Sequence, residues 1–238
     1  MNQASQKVAV ITGGSQGIGA GLVAAYRRQG WHVVAAARTM KPAGDPDVLT
    51  IDGDVADPAT ADRIISGALG RFGRIDTLIN NAGVFVSKPF TEYTAEDYAR
   101  IVGVNLGGFF WLTQRAIAEM LKQHGGHVVN VSATIAEYAN SSAPSALTAL
   151  TKGGLAAATR SLAVEYASRG IRVNAVSPGI IQTPAYPAES YEGLGDRLPP
   201  LGHVGQVSDV VGGILFLEAS PFITGEILHI DGGQSAGH

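Results

Sequence analysis

Four apolar residues, Val8-Ala9-Val10-Ile11, run straight into Thr12-Gly13-Gly14-Ser15-Gln16-Gly17-Ile18-Gly19, and a segment of helical period starts at Ile18. A strand that stops at a glycine-rich turn and re-enters as a helix opens a β-α-β unit. Gly13 lets the chain turn sharply. Gly17 omits a side chain where backbone would meet a pyrophosphate, and Gly19 allows the helix to pack closely. The free N–H groups of the first helical turn then make an anion site. A tight turn with no ligand is the plain alternative; the placement after a strand and before a helix favours the ligand.

The rest of the chain keeps the same alternation. Short apolar runs predict strands at Val8–Ile11, Val33–Ala37, Leu49–Ile51, Thr77–Ile79, Val128–Val131, Arg172–Ser177 and Glu226–Ile230. Between them, helical spacing covers Ile18–Gln29, Ala59–Phe72, Ala95–Lys122 (interrupted around Gly103 and Gly107-Gly108) and Leu147–Arg169. Arg38–Val48 holds Pro42, Gly44 and Pro46 and has no room for a full helix, so that crossover is abbreviated. The expected fold is α/β: a Rossmann-type, doubly wound parallel sheet of about seven strands with helices on both faces, in three α/β/α layers. No linker, repeat or low-complexity tract divides the chain, so residues 1–238 are expected to form one domain.

Composition removes several function classes. With 45% hydrophobic and only 16% charged residues the chain has large faces to bury, which argues against disorder. The net charge of −3 and the lack of any basic run disfavour a nucleic acid or an anionic membrane as partner. There are no cysteines, so neither disulfides nor thiolate metal sites arise. His32, His124, His127, His203, His229 and His238 are scattered, and no metal site is expected. No apolar stretch approaches the roughly 20 residues that span a bilayer, and Met1–Lys7 does not read as a secretory signal, so a soluble cytoplasmic protein is expected.

The spacing Thr-Gly-x-x-x-Gly-x-Gly resembles that of the short-chain dehydrogenase/reductase family, and further matches follow in order along almost the whole chain. They are Asn80-Asn81-Ala82-Gly83 after the fourth strand, Asn105 in the next long helix, Lys152 as the lysine of Tyr-x-x-x-Lys, Ser177-Pro178-Gly179 with Thr183-Pro184, and Asp231-Gly232-Gly233 near the end. The resemblance implies an oxidoreductase that binds a nicotinamide dinucleotide. Gly13, Ser15, Gln16, Gly17, Ile18, Gly19, Asp54, Val55, Asn81, Ala82, Gly83, Lys152, Pro178, Gly179, Ile181 and Thr183 fall at its cofactor positions. Asp54-Val55 resembles the pair that contacts adenine; Asp54 as a simple turn residue is the alternative.

The second strand bears on which dinucleotide is bound. NAD enzymes place a carboxylate about 20 positions beyond the glycine turn to accept from the ribose 2′-hydroxyl. Here that place is Ala37, followed by Arg38 and Thr39. A carboxylate would repel a 2′-phosphate, whereas a guanidinium pairs with it bidentately. NADP(H) is therefore expected ahead of NAD(H), with Arg38 and Thr39 as its ligands.

The reacting end departs from the family. Aligning Lys152 puts Thr148 where the family has tyrosine, and aligning Asn130-Val131-Ser132-Ala133 puts Ala133 at its serine. The family's tyrosine passes the proton, with a pKa lowered from about 10 by the lysine and the cofactor. Ser132, Thr134 or Thr148 can polarise a carbonyl, but an aliphatic alcohol is about as weak an acid as water, pKa about 15.7. A positioned acid supplies about 10²–10⁴-fold, so its loss slows carbonyl reduction without removing cofactor binding. Asn105, Ser132, Thr148 and Lys152 are the candidate catalytic residues. Tyr138 in the Ile135–Pro144 loop, a water held by Thr148, Lys152 and Asn105, or a substrate that needs no acid are the possible substitutes.

Pro184–Leu201, with Tyr186, Pro187, Tyr191, Gly193, Gly195, Pro199 and Pro200, suggests an irregular flap over the nicotinamide end and a small, moderately apolar substrate. Glu189, Glu192, Asp196 and Arg197 are most simply solvated. The long helices and the tail Ile227–His238 resemble segments that build homotetramers or homodimers in the family. A cofactor-binding sensor or partner subunit, and a non-redox enzyme on the same scaffold, are the rival readings.

Overall fold

A computed structural model describes residues 6–184, 188–191 and 199–237. Seven parallel strands form one sheet, β1 (Val8–Thr12), β2 (His32–Ala37), β3 (Val48–Asp52), β4 (Thr77–Asn80), β5 (Gly126–Val131), β6 (Ile171–Pro178) and, after a short pair, β9 (Ile227–Ile230). Their order is β3-β2-β1-β4-β5-β6-β9. The two remaining strands, β7 (Ile181–Gln182) and β8 (Gly205–Gln206), pair with each other outside the sheet. The chain reverses direction across the sheet between β3 and β4, so β1 and β4 sit at the switch point, where a crevice opens at the carboxyl ends of the strands.

Six α-helices among the described residues cover the two faces. They are α1 (Gly17–Arg28), α2 (Pro58–Phe72), α3 (Ala95–Val102), α4 (Gly108–Lys122), α5 (Ala146–Tyr166) and α6 (Val207–Ala219). One core cluster joins α2 and α4 to the sheet through Ile64, Leu112 and Met120 against Val8, Val10 and Val128. The other joins α1 and α6 through Leu22, Tyr26 and Ile214 against Ile11, Val33 and Val129. Val8 to Ile11 and Val33 to Ala36 are completely buried, which is why these strands are continuous apolar runs rather than alternating ones.

Local chemistry sets the boundaries. Asp57 caps α2 by accepting from the Ala59 N–H at 2.9 Å, Pro58 occupies its first turn, and Gly73 ends it in the left-handed conformation. Thr94 and Asp97 close a reciprocal capping box on α3. The expected interruption of the long helix is one π turn, Gly103–Gly107, between α3 and α4. No helix separates β2 from β3; Arg27 of α1 holds that link by pairing with Asp45 at 2.9 Å and Asp47 at 2.7 Å.

Four elements differ from the sequence expectation. Helix α6 was not anticipated, nor were β7 and β8. Leu147–Arg169 resolves into α5 and a 3-10 turn, Ala167–Arg169, that ends on left-handed Gly170. Of the flap residues named above, Tyr186, Pro187, Glu192, Gly193, Gly195, Asp196 and Arg197 lie outside the described residues, as does His238. No helix among the described residues is long and apolar enough to cross a membrane, and no cluster of three or more His, Cys, Asp or Glu among them could hold a metal ion.

Candidate active site

The glycine turn is built by close approach. Gly13 and Gly17 have φ of 68° and 55°, in the left-handed region that favours glycine. A Cβ on Gly13 would come 2.7 Å from Asn81 Nδ2, and one on Gly19 would lie 2.0 Å from the Gly13 carbonyl oxygen. Gly19 thus lets the turn fold back on itself, a tighter requirement than helix packing. Asn81 braces the arrangement by donating from Nδ2 to the Thr12 carbonyl at 2.8 Å. Thr12 Oγ1 in turn accepts from the backbone N–H groups of Asn81 and Ala82, both at 3.0 Å. The end of β4 is thereby locked to the end of β1.

Beside this turn lies a cleft of about 740 Å³. It brings together most of the expected cofactor residues: Gly13, Ser15, Gln16, Gly17 and Ile18 from the turn, Arg38 and Thr39 after β2, Asp54 and Val55 after β3, Asn81, Ala82 and Gly83 after β4, and Thr183. Gly19, Pro178, Gly179, Ile181 and Lys152 do not line it. Gly179 is pressed against the next segment instead, since a Cβ there would lie 2.8 Å from Asp231 Cα.

The cleft fits a dinucleotide. The first turn of α1 carries no acidic residue, and its N-cap Gln16 makes no side-chain cap hydrogen bond, so the amide dipoles are left for an external anion. Arg38 and Thr39 are exposed, and Arg38 makes no ion pair among the described residues. Asp54, which is exposed, accepts from the Ala56 N–H at 3.0 Å through Oδ1, an Asx turn. Arg100 and Val104, one turn apart on the α3 side, also line the cleft. The reading from sequence missed both; their i, i+4 spacing leading to Asn105 was the available signal.

The candidate catalytic side chains lie behind the wall made by Asn81–Val86. Thr148 is buried, its Oγ1 accepting from the Val86 N–H and donating to the Val86 carbonyl, each at 3.3 Å. Asn105, in the π turn, accepts from the Val84 N–H at 2.9 Å and donates to the Val84 carbonyl and to Thr151 Oγ1 at 3.1 and 3.0 Å. Ser132 Oγ donates to the Lys152 carbonyl at 3.0 Å. Thr134 Oγ1 contacts the Ser177 carbonyl and Asp231 Oδ2, both at 3.3 Å. Every one of these groups is engaged with protein.

Lys152 projects from α5 between β5 and the Asn81–Val86 segment. Its ammonium donates to the Val131 carbonyl at 2.6 Å. A Cβ on Gly83 would come 3.1 Å from Lys152 Nζ and 3.4 Å from Asn105 Oδ1, so a side chain at 83 would crowd both groups. Burial pushes its pKa down to about 8, because a desolvated ammonium is disfavoured. Tyr138 is only half-buried, on the loop after Thr134.

The family model described as Enoyl-(Acyl carrier protein) reductase matches residues 13–235. The 3-oxoacyl-[acyl-carrier-protein] reductase of Thermotoga maritima is 34% identical over 245 residues, covering 95% of this chain and 97% of its own length. The chain belongs to the short-chain dehydrogenase/reductase family. With it goes the family's class: an NAD(P)-dependent oxidoreductase. Among solved structures, ElxO with NADP bound superimposes with a TM-score of 0.90 at 31% identity, over 98% of this chain and all of that one. The 3-ketoacyl-(acyl-carrier-protein) reductase of Brucella melitensis, complexed with NADH, gives 0.86 at 30% identity over 96% of this chain and 98% of that one.

Proposed function

We propose that this chain is an NADPH-dependent reductase of a small carbonyl compound, or its dehydrogenase in reverse, with a proton relay other than the family's tyrosine. The carrying observation is the cleft that joins the uncapped start of α1 to the exposed Arg38, which makes no ion pair among the described residues. When bound, the nicotinamide cofactor supplies hydride. Among the chain's own residues, the α1 amides would hold the pyrophosphate, Arg38 and Thr39 the 2′-phosphate, and Asp54 and Val55 the adenine. Asn81, Ala82, Gly83 and Thr183 would flank the nicotinamide half. Pro178, Gly179 and Ile181 support that half from behind. A structure with NADP bound among the close structural neighbours supports the preference, although another holds NADH.

Hydrogen bonds to a charged group contribute about 1.5–3 kcal/mol. NADPH should therefore bind about 10–100-fold tighter than NADH, and Arg38→Ala should abolish that difference by weakening NADPH alone. Fluorescence titration of both dinucleotides measures it; equal binding by the unaltered protein removes Arg38's role. Turnover is tested with a panel of aldehydes, ketones and imines followed at the NADPH absorbance. Tight binding with no consumption anywhere in the panel would favour a sensor or partner subunit.

Self-association is part of the same reading. Between α4 and α5 runs an open groove of about 340 Å³ lined by Phe109, Phe110, Ile117 and Leu162. Leu150 and Val164 on α5 are 66% and 83% exposed. Such an unpaired apolar strip suits a second copy, as a homodimer or half of a homotetramer. A cytoplasmic location fits the substrate class proposed.

A further inference from the structure

Among the described residues, two guanidiniums line the cofactor cleft, and Arg38 alone has so far been given a partner there. The other is Arg100, in the last turn of α3. It is exposed and makes no hydrogen bond or ion pair among the described residues. That freedom has a local cause. An arginine on a helix surface ordinarily pairs with a carboxylate one turn back, three or four residues earlier. Both places hold carboxylates here, and both are engaged at the start of α3. Asp97 takes the Lys88 ammonium at 2.5 Å and the Thr94 N–H at 3.0 Å, and Glu96 takes the Thr94 side chain. On α2 and α4, by contrast, Arg63, Arg71 and Arg115 are all bonded to protein.

Packing fixes which end of the cleft Arg100 serves. The π turn that follows it abuts the segment after β3. A Cβ on Gly103 would lie 3.3 Å from Ala56 Cβ, and one on Gly108 would lie 2.7 Å from Val55 Cγ2. Val55 is nearly buried, Val104 is half-buried, and both line the cleft. Arg100, one turn before Val104, therefore belongs to the Asp54–Val55 end. That corner offers two apolar side chains, one exposed carboxylate and one planar cation without a protein partner.

Resting on the dinucleotide reading above, we propose that Arg100 is a coenzyme ligand, its guanidinium stacked on the adenine ring held at Asp54 and Val55. Adenine has an exocyclic amino group, which a carboxylate can accept from, and π faces on which a weakly hydrated, planar cation stacks. A phosphate is the other natural partner of a guanidinium, but the α1 amides and Arg38 already serve the phosphates in that reading. The two arginines then have separate tasks. Arg38 meets the phosphate that NADPH alone carries and sets the choice between dinucleotides. Arg100 meets the ring that NADPH and NADH share and sets the affinity for both.

The test is fluorescence titration of NADPH and NADH on the unaltered protein, Arg100→Ala and Arg38→Ala. Arg100→Ala should weaken both dinucleotides by one common factor, about 3–30-fold, and leave their ratio as it was. Arg38→Ala should change the ratio instead. The melting temperature of Arg100→Ala without ligand should match that of the unaltered protein, because the side chain is exposed and bonded to nothing in the fold. Adenosine, which has no phosphate, should displace NADPH less well from Arg100→Ala by the same factor. A loss confined to NADPH would make Arg100 a second ligand of the 2′-phosphate. A loss with both dinucleotides but not with adenosine would make it a pyrophosphate ligand. Either result overturns the stacking assignment. Unchanged affinity for all three compounds makes Arg100 a solvated side chain, and this proposal then falls alone, since Arg38→Ala still reports on the cleft. An unaltered protein that binds neither dinucleotide overturns the cofactor reading and this proposal together.

Discussion

A single methyl group decides whether the turn after β1 can exist. Because a Cβ on Gly19 would sit 2.0 Å from a backbone oxygen, Gly19→Ala cannot be relieved by moving a side chain. It should cost about 3 kcal/mol or more and abolish dinucleotide binding. Thermal melting together with NADPH titration checks both; a well-folded variant that still binds would remove the turn's assigned role. Thr148 makes the opposite case, a residue whose type was legible but whose direction was not. The sequence puts a hydroxyl at that place, and nothing in it says that both hydrogen-bonding functions go to Val86. Thr148→Val keeps the shape and leaves the Val86 amide and carbonyl without those partners, so it should cost about 1–3 kcal/mol and leave cofactor affinity unchanged. Lost NADPH binding in that variant would show that the hydroxyl does more than fasten the wall. The same limit applies to Ser132 and Thr134: spacing predicts which residues gather, whereas hydrogen-bond direction depends on neighbours from three other elements.

Among elements, α6 shows what local pattern cannot carry. Val207-Ser208-Asp209-Val210-Val211-Gly212-Gly213-Ile214-Leu215-Phe216-Leu217-Glu218-Ala219 is apolar nearly all round and holds two adjacent glycines, so it offers no helical period. What fixes it is tertiary: a Gln206–Asp209 box at its start, and Glu218 at its end. Glu218 Oε2 accepts from Tyr26 of α1 at 3.0 Å, Thr77 of β4 at 2.8 Å and His127 of β5 at 3.1 Å. His127 Nε2 faces donors on Asn174 and Arg172, so it is the acceptor, Nδ1 carries the hydrogen, and the imidazole is neutral. Burial holds the His127 pKa below its ordinary value. For Glu218 burial acts upward, but the bonds from His127, Thr77 and Tyr26 outweigh it and hold the carboxyl low. Both folded values lie below the unfolded ones, so both groups bind more protons when the chain unfolds, and stability falls on acidification. The loss should begin below about pH 6.5 through His127 and deepen below about pH 4.3 through Glu218. Glu218→Gln should cost about 1–3 kcal/mol at neutral pH and flatten the acid branch of a melting-temperature profile. An unchanged acid branch would show that other groups control it. By contrast the strands, and the helices with clear caps and period, were readable because each carries its signal within its own residues.

At the scale of the whole molecule, parallel strands give the sheet two chemically different ends. The carboxyl ends gather the glycine turn, Asp54, Asn81 and the lysine wall, while the amino ends gather the Glu218 network that ties α1 and α6 to three strands. Ligand should therefore act on global stability through residues that the second network does not touch. A ligand that binds only the folded chain stabilises it by RT ln(1 + [L]/Kd), about 2.7 kcal/mol at a hundred times Kd. For a chain of this size each kcal/mol moves the melting temperature by about 2–4 °C, so saturating NADPH should raise it by roughly 5–11 °C. NADH at the same concentration should raise it less, by the factor that Arg38 sets. The sharper expectation is additivity: Glu218→Gln lowers the starting temperature, yet the increment from NADPH should persist, because sites far apart with no shared partner contribute independently. Differential scanning fluorimetry of both proteins with and without each dinucleotide measures all of these increments. If the NADPH increment shrinks markedly in Glu218→Gln, the two ends of the sheet are coupled, and the cleft is shaped by the far network rather than by the turn and Asn81 alone.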